Sequence, residues 1–181
     1  VGLPQDATLE TAEPWGDGGR KPLVFYGTSI THGACASRPG MCHPAILQRR
    51  LNYPGITLGF SGNGRMEPEL ADLLAEIDAS VYVLDCIPNM NADMVRERAE
   101  TFVRRLRNAR PATPIVLVED RTYAGSFLVS SRRRENVTRR AELRKAYYRL
   151  LEDGIDGLHY IIGDHLVGDD GEGTVDSSHP S

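Results

Sequence analysis

Leu23-Val24-Phe25-Tyr26-Gly27-Thr28-Ser29-Ile30-Thr31 is a short apolar run that stops at small and hydroxyl-bearing residues. The run reads as a buried strand whose C-terminal end presents the Ser29 hydroxyl. At the far end of the chain stands Asp176-Ser177-Ser178-His179. A serine hydroxyl is a weak nucleophile until a base within hydrogen-bond reach takes its proton. A histidine serves as that base when a carboxylate fixes its tautomer. Ser29, His179 and Asp176 are therefore the candidate nucleophile, base and orienting acid.

Further short apolar runs follow at Ile56–Phe60, Val81–Leu84, Ile115–Val118 and Tyr160–Ile162. Between them lie helical patterns. His43–Leu51 has Pro44 in its first turn. Pro68–Ile77 repeats Leu70, Leu73, Leu74 and Ile77. Ala92–Ala109 carries Met94, Val95, Ala99, Phe102, Val103 and Leu106 on one stripe. Arg133–Leu151 does the same through Val137, Ala141, Leu143, Tyr147, Leu150 and Leu151. Five strands alternating with four helices predict an α/β fold: a flavodoxin-like three-layer sandwich, with a five-stranded, mostly parallel sheet and helices on both faces. Sites in such folds lie beyond the carboxyl ends of the strands.

The chain has 181 residues and a net charge of −4. That length suits one domain, and that charge gives no electrostatic case for nucleic acid or an anionic membrane as partner. The longest apolar runs are too short to span a bilayer. The basic cluster Arg132-Arg133-Arg134 with Arg139, Arg140 and Arg144 is interrupted by Glu135 and Glu142, and reads as a solvated helix face. Cys35, Cys42 and Cys86 are too few for a disulfide scaffold and read as small thiols. Cys42-His43 with His32 nearby has no zinc spacing, so neither metal nor cofactor is expected. Residues 1–20 lack periodicity and are expected to be a linker or N-terminal arm, with the folded domain at 21–181. Both ends look cut, since the chain starts at Val1 and stops two residues after His179. A missing signal peptide therefore says nothing of the compartment.

The strand-end rule brings four segments to one edge of the sheet: Ser29, then Gly62-Asn63-Gly64, then Asn89, then Asp176 and His179. The oxyanion of a tetrahedral intermediate wants preorganised donors. The Ser29 N–H, the Gly62 N–H and the Asn89 side-chain amide are the candidates. Glycine at 62 lets the backbone approach a reacting group closely. His32, Arg38 and Met41 after the nucleophile, Met66, Met90 and Glu119-Asp120-Arg121 are candidates to shape the substrate pocket. Thr122–Arg132 is a candidate partial lid.

On these motifs the chain resembles the SGNH (GDSL-type) hydrolase superfamily, from about Pro22 to His179. Gly27-Thr28-Ser29-Ile30-Thr31 is similar to the first block, Gly-Asp-Ser-(Leu/Ile)-Thr, with Thr28 in place of the aspartate. Gly62 and Asn63 match the second block. Asn89 matches the asparagine of the third block, whose Gly and following Asp are absent from Ile87-Pro88-Asn89-Met90. Asp176-x-x-His179 matches the fifth. The stretch from Gly27 to Gly40 is similar to a bacterial subgroup that often carries a small β-sandwich domain ahead of the hydrolase domain. The resemblance implies an esterase acting on acetylated sugars or short-chain acyl esters, a small-molecule or carbohydrate ester substrate, no cofactor, and in some relatives transfer of the acyl group to an alcohol. A binding module on a hydrolase scaffold, without turnover, is the alternative of another class.

Overall fold

The computed structural model describes residues 2–13 and 19–181. Five strands, β1 (Leu23–Gly27), β2 (Gly55–Gly59), β3 (Val81–Asp85), β4 (Ile115–Val118) and β5 (Leu158–Ile161), form one sheet in the order β2-β1-β3-β4-β5. Every neighbouring pair is parallel. The fifth strand begins two residues before the predicted run, because Leu158 pairs with Ile115. The helices are α1 (Ser29–His32), α2 (His43–Leu51), α3 (Pro68–Ala75), α4 (Ala92–Ala109) and α5 (Ser130–Glu152). The single turn α1 was not legible as a helix in the sequence. Residues 2–13 hold no helix or strand and are exposed; Val1 and residues 14–18 of the expected arm lie outside the described residues.

The chain leaves β1 to one side to make β2, then returns past it to make β3. The order reverses between β1 and β3, the place where sites of such folds lie, beyond the carboxyl ends of the strands. Ser29 and Asn89 follow those two strands.

One face of the sheet holds the core. Val24, Tyr26, Tyr82, Leu84, Ile115 and Leu117 are buried there against α3, α4 and α5. Val95, Ala99, Phe102, Val103 and Leu106 of α4 recur at helical spacing and are fully buried. Phe102 stacks on Tyr26 with ring centroids 5.6 Å apart. The Asn91 side chain accepts from the Met94 N–H at 2.8 Å and starts α4 cleanly.

The other face carries α1 and α2, and an apolar groove of about 410 Å³ floored by Phe25, Val83 and Val118 and edged by Leu47, Leu166 and Pro180. Leu47, Leu51 and Leu166 on its margin are exposed.

The buried stripe of α5 departs from its apolar pattern. Val137 is 60% exposed and Ala141 and Leu151 also face solvent, whereas Asn136, Arg139 and Glu142 are buried beside Leu143, Ala146 and Leu150. Asp120, just past β4, partners Asn136 and Arg139, and Arg96 of α4 partners Glu142. The basic cluster is accordingly not a solvated face throughout. Arg139 is 6% exposed, Arg140 pairs with Asp164 at 2.6 Å, and Arg144 pairs with Glu119 at 2.7 Å.

Candidate active site

Thr28 follows β1 in an extended conformation and accepts the Ile30 N–H on its side-chain oxygen at 3.2 Å. The chain then winds through α1, with Ser29 as its first residue. First-turn N–H groups have no partner inside a helix, so the Ser29 N–H is available. Gly33, at φ 86°, closes the turn by donating to the carbonyls of Ser29 and Ile30. Below it, Thr31 donates to the Asp85 carboxylate at 3.0 Å. Burial pushes Asp85 up to about 7; the Thr31 hydrogen bond opposes the shift and the Asp120 charge reinforces it.

Ser29 Oγ lies 2.8 Å from His179 Nε2. His179 Nδ1 lies 2.6 Å from Asp176 Oδ2, and Asp176 Oδ1 accepts the N–H groups of Ser178 and His179 at 2.9 and 2.7 Å. One turn thus holds both acid and base. Burial alone would raise the Asp176 carboxyl, but the two N–H groups and the His179 ring hold it well below the usual carboxylate range. The loop is closed by an antiparallel bridge between Thr174 and Pro180, and the Ala124 N–H donates to Ser177 O at 3.1 Å.

The second segment is the turn Ser61–Arg65. Gly62 and Gly64 both have positive φ, at 71° and 68°. A Cβ on Gly64 would stand 2.1 Å from the Gly27 carbonyl oxygen, so this glycine lets the turn lie on the residue two before Ser29. A Cβ on Gly62 would meet nothing within 4 Å; that glycine faces open space. Glu67 Oε2 accepts both the Tyr26 hydroxyl at 2.6 Å and the Arg65 N–H at 2.9 Å, tying the turn to β1. Asn89 Nδ2 donates to Asn63 O at 2.7 Å, which orients the amide and leaves its second hydrogen for another acceptor.

A buried ionic cluster joins two of these segments. Asp120, fully buried at the end of β4, pairs with Arg121 and with Arg139, the latter at 3.2 Å, and accepts from Asn136. Arg121 donates to the carbonyl of Ser178 at 2.9 Å and to its hydroxyl, inside the Asp176–His179 turn. Arg139 donates to the Pro88 carbonyl at 3.0 Å, one residue before Asn89. A single carboxylate therefore sits behind both the acid–base turn and the Asn89 loop.

The structure brings Ser29, Asp176 and His179 together, and Gly62 and Asn89 lie in adjoining segments. Several candidate pocket residues are elsewhere. Met66 is fully buried at φ 51° and Met90 is 2% exposed; both belong to the core. Glu119 is 1% exposed and accepts from Arg144, Tyr160 and the Gly163 N–H, so its carboxylate is taken up in joining the end of β4 to β5 and α5. His32 is exposed, with Nδ1 3.2 Å from Gly59 O, and Arg38 is exposed. Thr122–Val129 forms turns, and the last residues of the expected lid belong to α5. Cys35, which reads from the sequence only as a small thiol, places its Sγ 3.9 Å from Asp176 Oδ2. Nothing in the spacing of Cys35 and Asp176 signals that contact, because 141 residues separate them.

A nucleophile, a base, an acid and two segments rich in N–H donors on one sheet edge can carry acyl transfer through a tetrahedral intermediate. A family model for the GDSL-like lipase/acylhydrolase family matches residues 20–181. Among solved structures, a protein from Bacteroides ovatus ATCC 8483, a GDSL-like lipase by name, is 39% identical with a TM-score of 0.86, over 89% of this chain and 48% of its own. A salicylyl-acyltransferase from a tetracycline biosynthetic pathway is 22% identical with a TM-score of 0.71, over 82% of this chain and 44% of its own. A family two carbohydrate esterase from Clostridium thermocellum, in complex with cellohexaose, is 15% identical with a TM-score of 0.68, over 96% of this chain and 61% of its own. The last two likenesses are of fold. This chain thus spans about half the length of the first two structures. No curated protein matches it. No helix among the described residues is long and apolar enough to cross a membrane.

Proposed function

The chain belongs to the GDSL-like lipase/acylhydrolase family, and from that premise we propose that it is a serine esterase cleaving short-chain acyl or acetyl-sugar esters through an acyl-enzyme on Ser29. The observation that carries this reading is the 2.8 Å contact of Ser29 Oγ with His179 Nε2, backed by Asp176 on Nδ1.

Ser29 Oγ attacks the ester carbonyl while His179 Nε2 takes its proton. Asp176 accepts the Nδ1–H and stabilises the imidazolium without itself being protonated, in keeping with its lowered pKa. The carbonyl oxygen becomes an oxyanion facing the Ser29 N–H, the Gly62 N–H and the Asn89 amide. Collapse breaks the ester C–O bond, and His179 returns the proton to the departing alcohol. Water, deprotonated by the same nitrogen, then attacks the acyl-enzyme and frees Ser29. An alcohol in place of water gives transfer instead of hydrolysis. One neighbour of like fold bears an acyltransferase's name and another a carbohydrate esterase's; they guide the choice of probes.

The test is hydrolysis of p-nitrophenyl esters of increasing chain length and of acetylated sugars, with and without added alcohols, beside Ser29→Ala. We expect release that vanishes in the variant. Release that survives Ser29→Ala overturns the serine mechanism. A folded chain that neither turns over nor becomes acylated at Ser29 is a binding module. Ester product in place of acid, when alcohol is added, marks a transferase.

A further inference from the structure

The catalytic contact shares two of its residues with a cluster whose third member, Cys35, the mechanism does not use. Cys35, Asp176 and His179 each offer one ligand atom, and the sulfur, oxygen and nitrogen all lie within 4.8 Å of one another. Cys35 sits in the turn just after α1, where the Gly33 and Ala34 N–H groups both donate to Ser29 O. Its position is thus fixed relative to the nucleophile. Asp176 and His179 are fixed on the opposite side by the closed 174–180 turn. The cluster is reachable from solvent: the side chains of Asp176 and His179 are 42% and 25% exposed, and Cys35 is half-buried.

Thiolate, carboxylate and imidazole are the donor set of zinc. Around a tetrahedral Zn²⁺ these atoms stand about 3.3–3.7 Å apart, given Zn–N and Zn–O near 2.0–2.1 Å and Zn–S near 2.3 Å. The structure brackets that spacing, with 2.6 Å from His179 Nδ1 to Asp176 Oδ2 and 3.9 Å from Cys35 Sγ to the same oxygen. Opening the first contact by about 0.8 Å and drawing the sulfur toward both partners sets the three atoms at three corners of a tetrahedron. Water takes the fourth position on the exposed side.

From this juxtaposition we infer that Cys35, Asp176 and His179 form an inhibitory site for a thiophilic divalent cation such as Zn²⁺, which switches off the esterase by occupying the place of the proton shared between His179 and Asp176. The inference rests on the reading of Ser29, His179 and Asp176 as the working set. The balance is simple. Cys35 gives up its thiol proton to solvent and binds as thiolate. Asp176 binds as the carboxylate it already is. The imidazole keeps one proton, which moves from Nδ1 to Nε2 when the metal takes Nδ1. Nε2 then donates to Ser29 Oγ and has no lone pair to receive its proton. Attack by Ser29 stops, and a chelator that removes the ion restores it.

The first readout is independent of turnover. Added Co²⁺ should produce the near-ultraviolet charge-transfer absorption of a thiolate–cobalt bond. That absorption should disappear in Cys35→Ser and survive in Cys42→Ser. Zn²⁺ should bleach it by competition. It should also protect Cys35 from alkylation by iodoacetamide, located by peptide mass spectrometry on the unaltered chain. The second readout is activity. Zn²⁺ should inhibit ester hydrolysis reversibly. Cys35→Ser should raise the half-inhibitory concentration by at least about tenfold, the least that loss of even an outer partner costs a metal site. Absence of both the absorption and the protection in the folded protein overturns the site, whether or not the chain is an esterase. Metal binding to a chain that does not hydrolyse esters keeps the site and sinks the esterase. Equal Zn²⁺ inhibition of wild type and Cys35→Ser overturns the role given to Cys35.

Discussion

His179 Nε2 stands 2.8 Å from Ser29 Oγ although 150 residues separate them in the chain. The nitrogen on the far side of the ring meets Asp176 Oδ2 at 2.6 Å. Asp176→Asn tests how that second contact works. The Asn Oδ1 still accepts the Ser178 and His179 N–H groups, so the turn keeps its shape. The amide hydrogens, however, now face Nδ1 and force the proton onto Nε2, the wrong tautomer for a base. Turnover should fall by about 10⁴ with little change in melting temperature. A loss below tenfold would show that the carboxylate does not set the tautomer.

Asn89 is held by its bond to Asn63 O and keeps one amide hydrogen to spare. Asn89→Ala should lower kcat by about 10²–10³ and leave KM nearly unchanged, because the donor is used only as charge develops on oxygen. Equal kcat in variant and wild type would remove Asn89 from the oxyanion site.

The two glycines of the 61–65 turn should respond differently to alanine. At Gly62 the added methyl meets open space and costs only left-handed backbone strain, about 1–2 kcal/mol. With Gly62 read as an oxyanion donor, turnover should fall while the fold survives. At Gly64 the methyl meets the Gly27 carbonyl oxygen at 2.1 Å, and the cost should be about 3 kcal/mol or more. Urea unfolding of both variants checks the order; equal destabilisation would contradict it.

Arg121 is a positioning residue: it touches Ser178 and Asp120, not the reacting atoms. Arg121→Lys keeps a charge near Asp120 but loses the paired donors to the Ser178 carbonyl and hydroxyl. Turnover should drop by about 10², the effect of roughly 1 Å of misplacement at a reacting atom, with KM unchanged. Arg121→Ala should in addition destabilise the fold by about 3–5 kcal/mol, because Asp120 loses one of its two buried cations. If Arg121→Lys melted lower yet turned over normally, the role would be purely structural.

Asp85 gives the fold a pH dependence. Its carboxyl is raised from 3.8 to about 7 by burial. Between those values the folded chain holds a proton that the unfolded chain releases, so this group's contribution to stability falls as pH rises from about 4 to about 7. Asp85→Asn keeps an acceptor for Thr31 and removes the charge. His43, 3.9 Å away and pushed down to about 4 by burial, is present in both proteins, as are Arg121 and Asp120, so the difference isolates Asp85. The variant should gain on wild type from pH 5 to pH 8, by at most about 3 kcal/mol. A gap that does not widen across that interval would refute the buried charge.

The strand runs and the α4 stripe were legible because burial on both faces of a parallel sheet demands unbroken apolar runs. Ser29 and Asp176-x-x-His179 were legible because one ends such a run and the other lies within a single turn. What escaped was set by contacts across the chain. Met66 and Met90 sit beside motif residues in sequence, yet each turns into the core. Glu119 and Asp120 read as pocket candidates and Arg139 as part of a solvated face, because the partners that bury them lie on other elements. Cys35 meets Asp176 only after the 174–180 turn folds back on α1.

Asp176 and His179 share one clamped turn, so a displacement of that turn carries both together, while the 2.8 Å reach to Ser29 crosses to another element. On the proposed mechanism, the orientation of the base is set inside the turn and its distance to the nucleophile is set by where the turn lies.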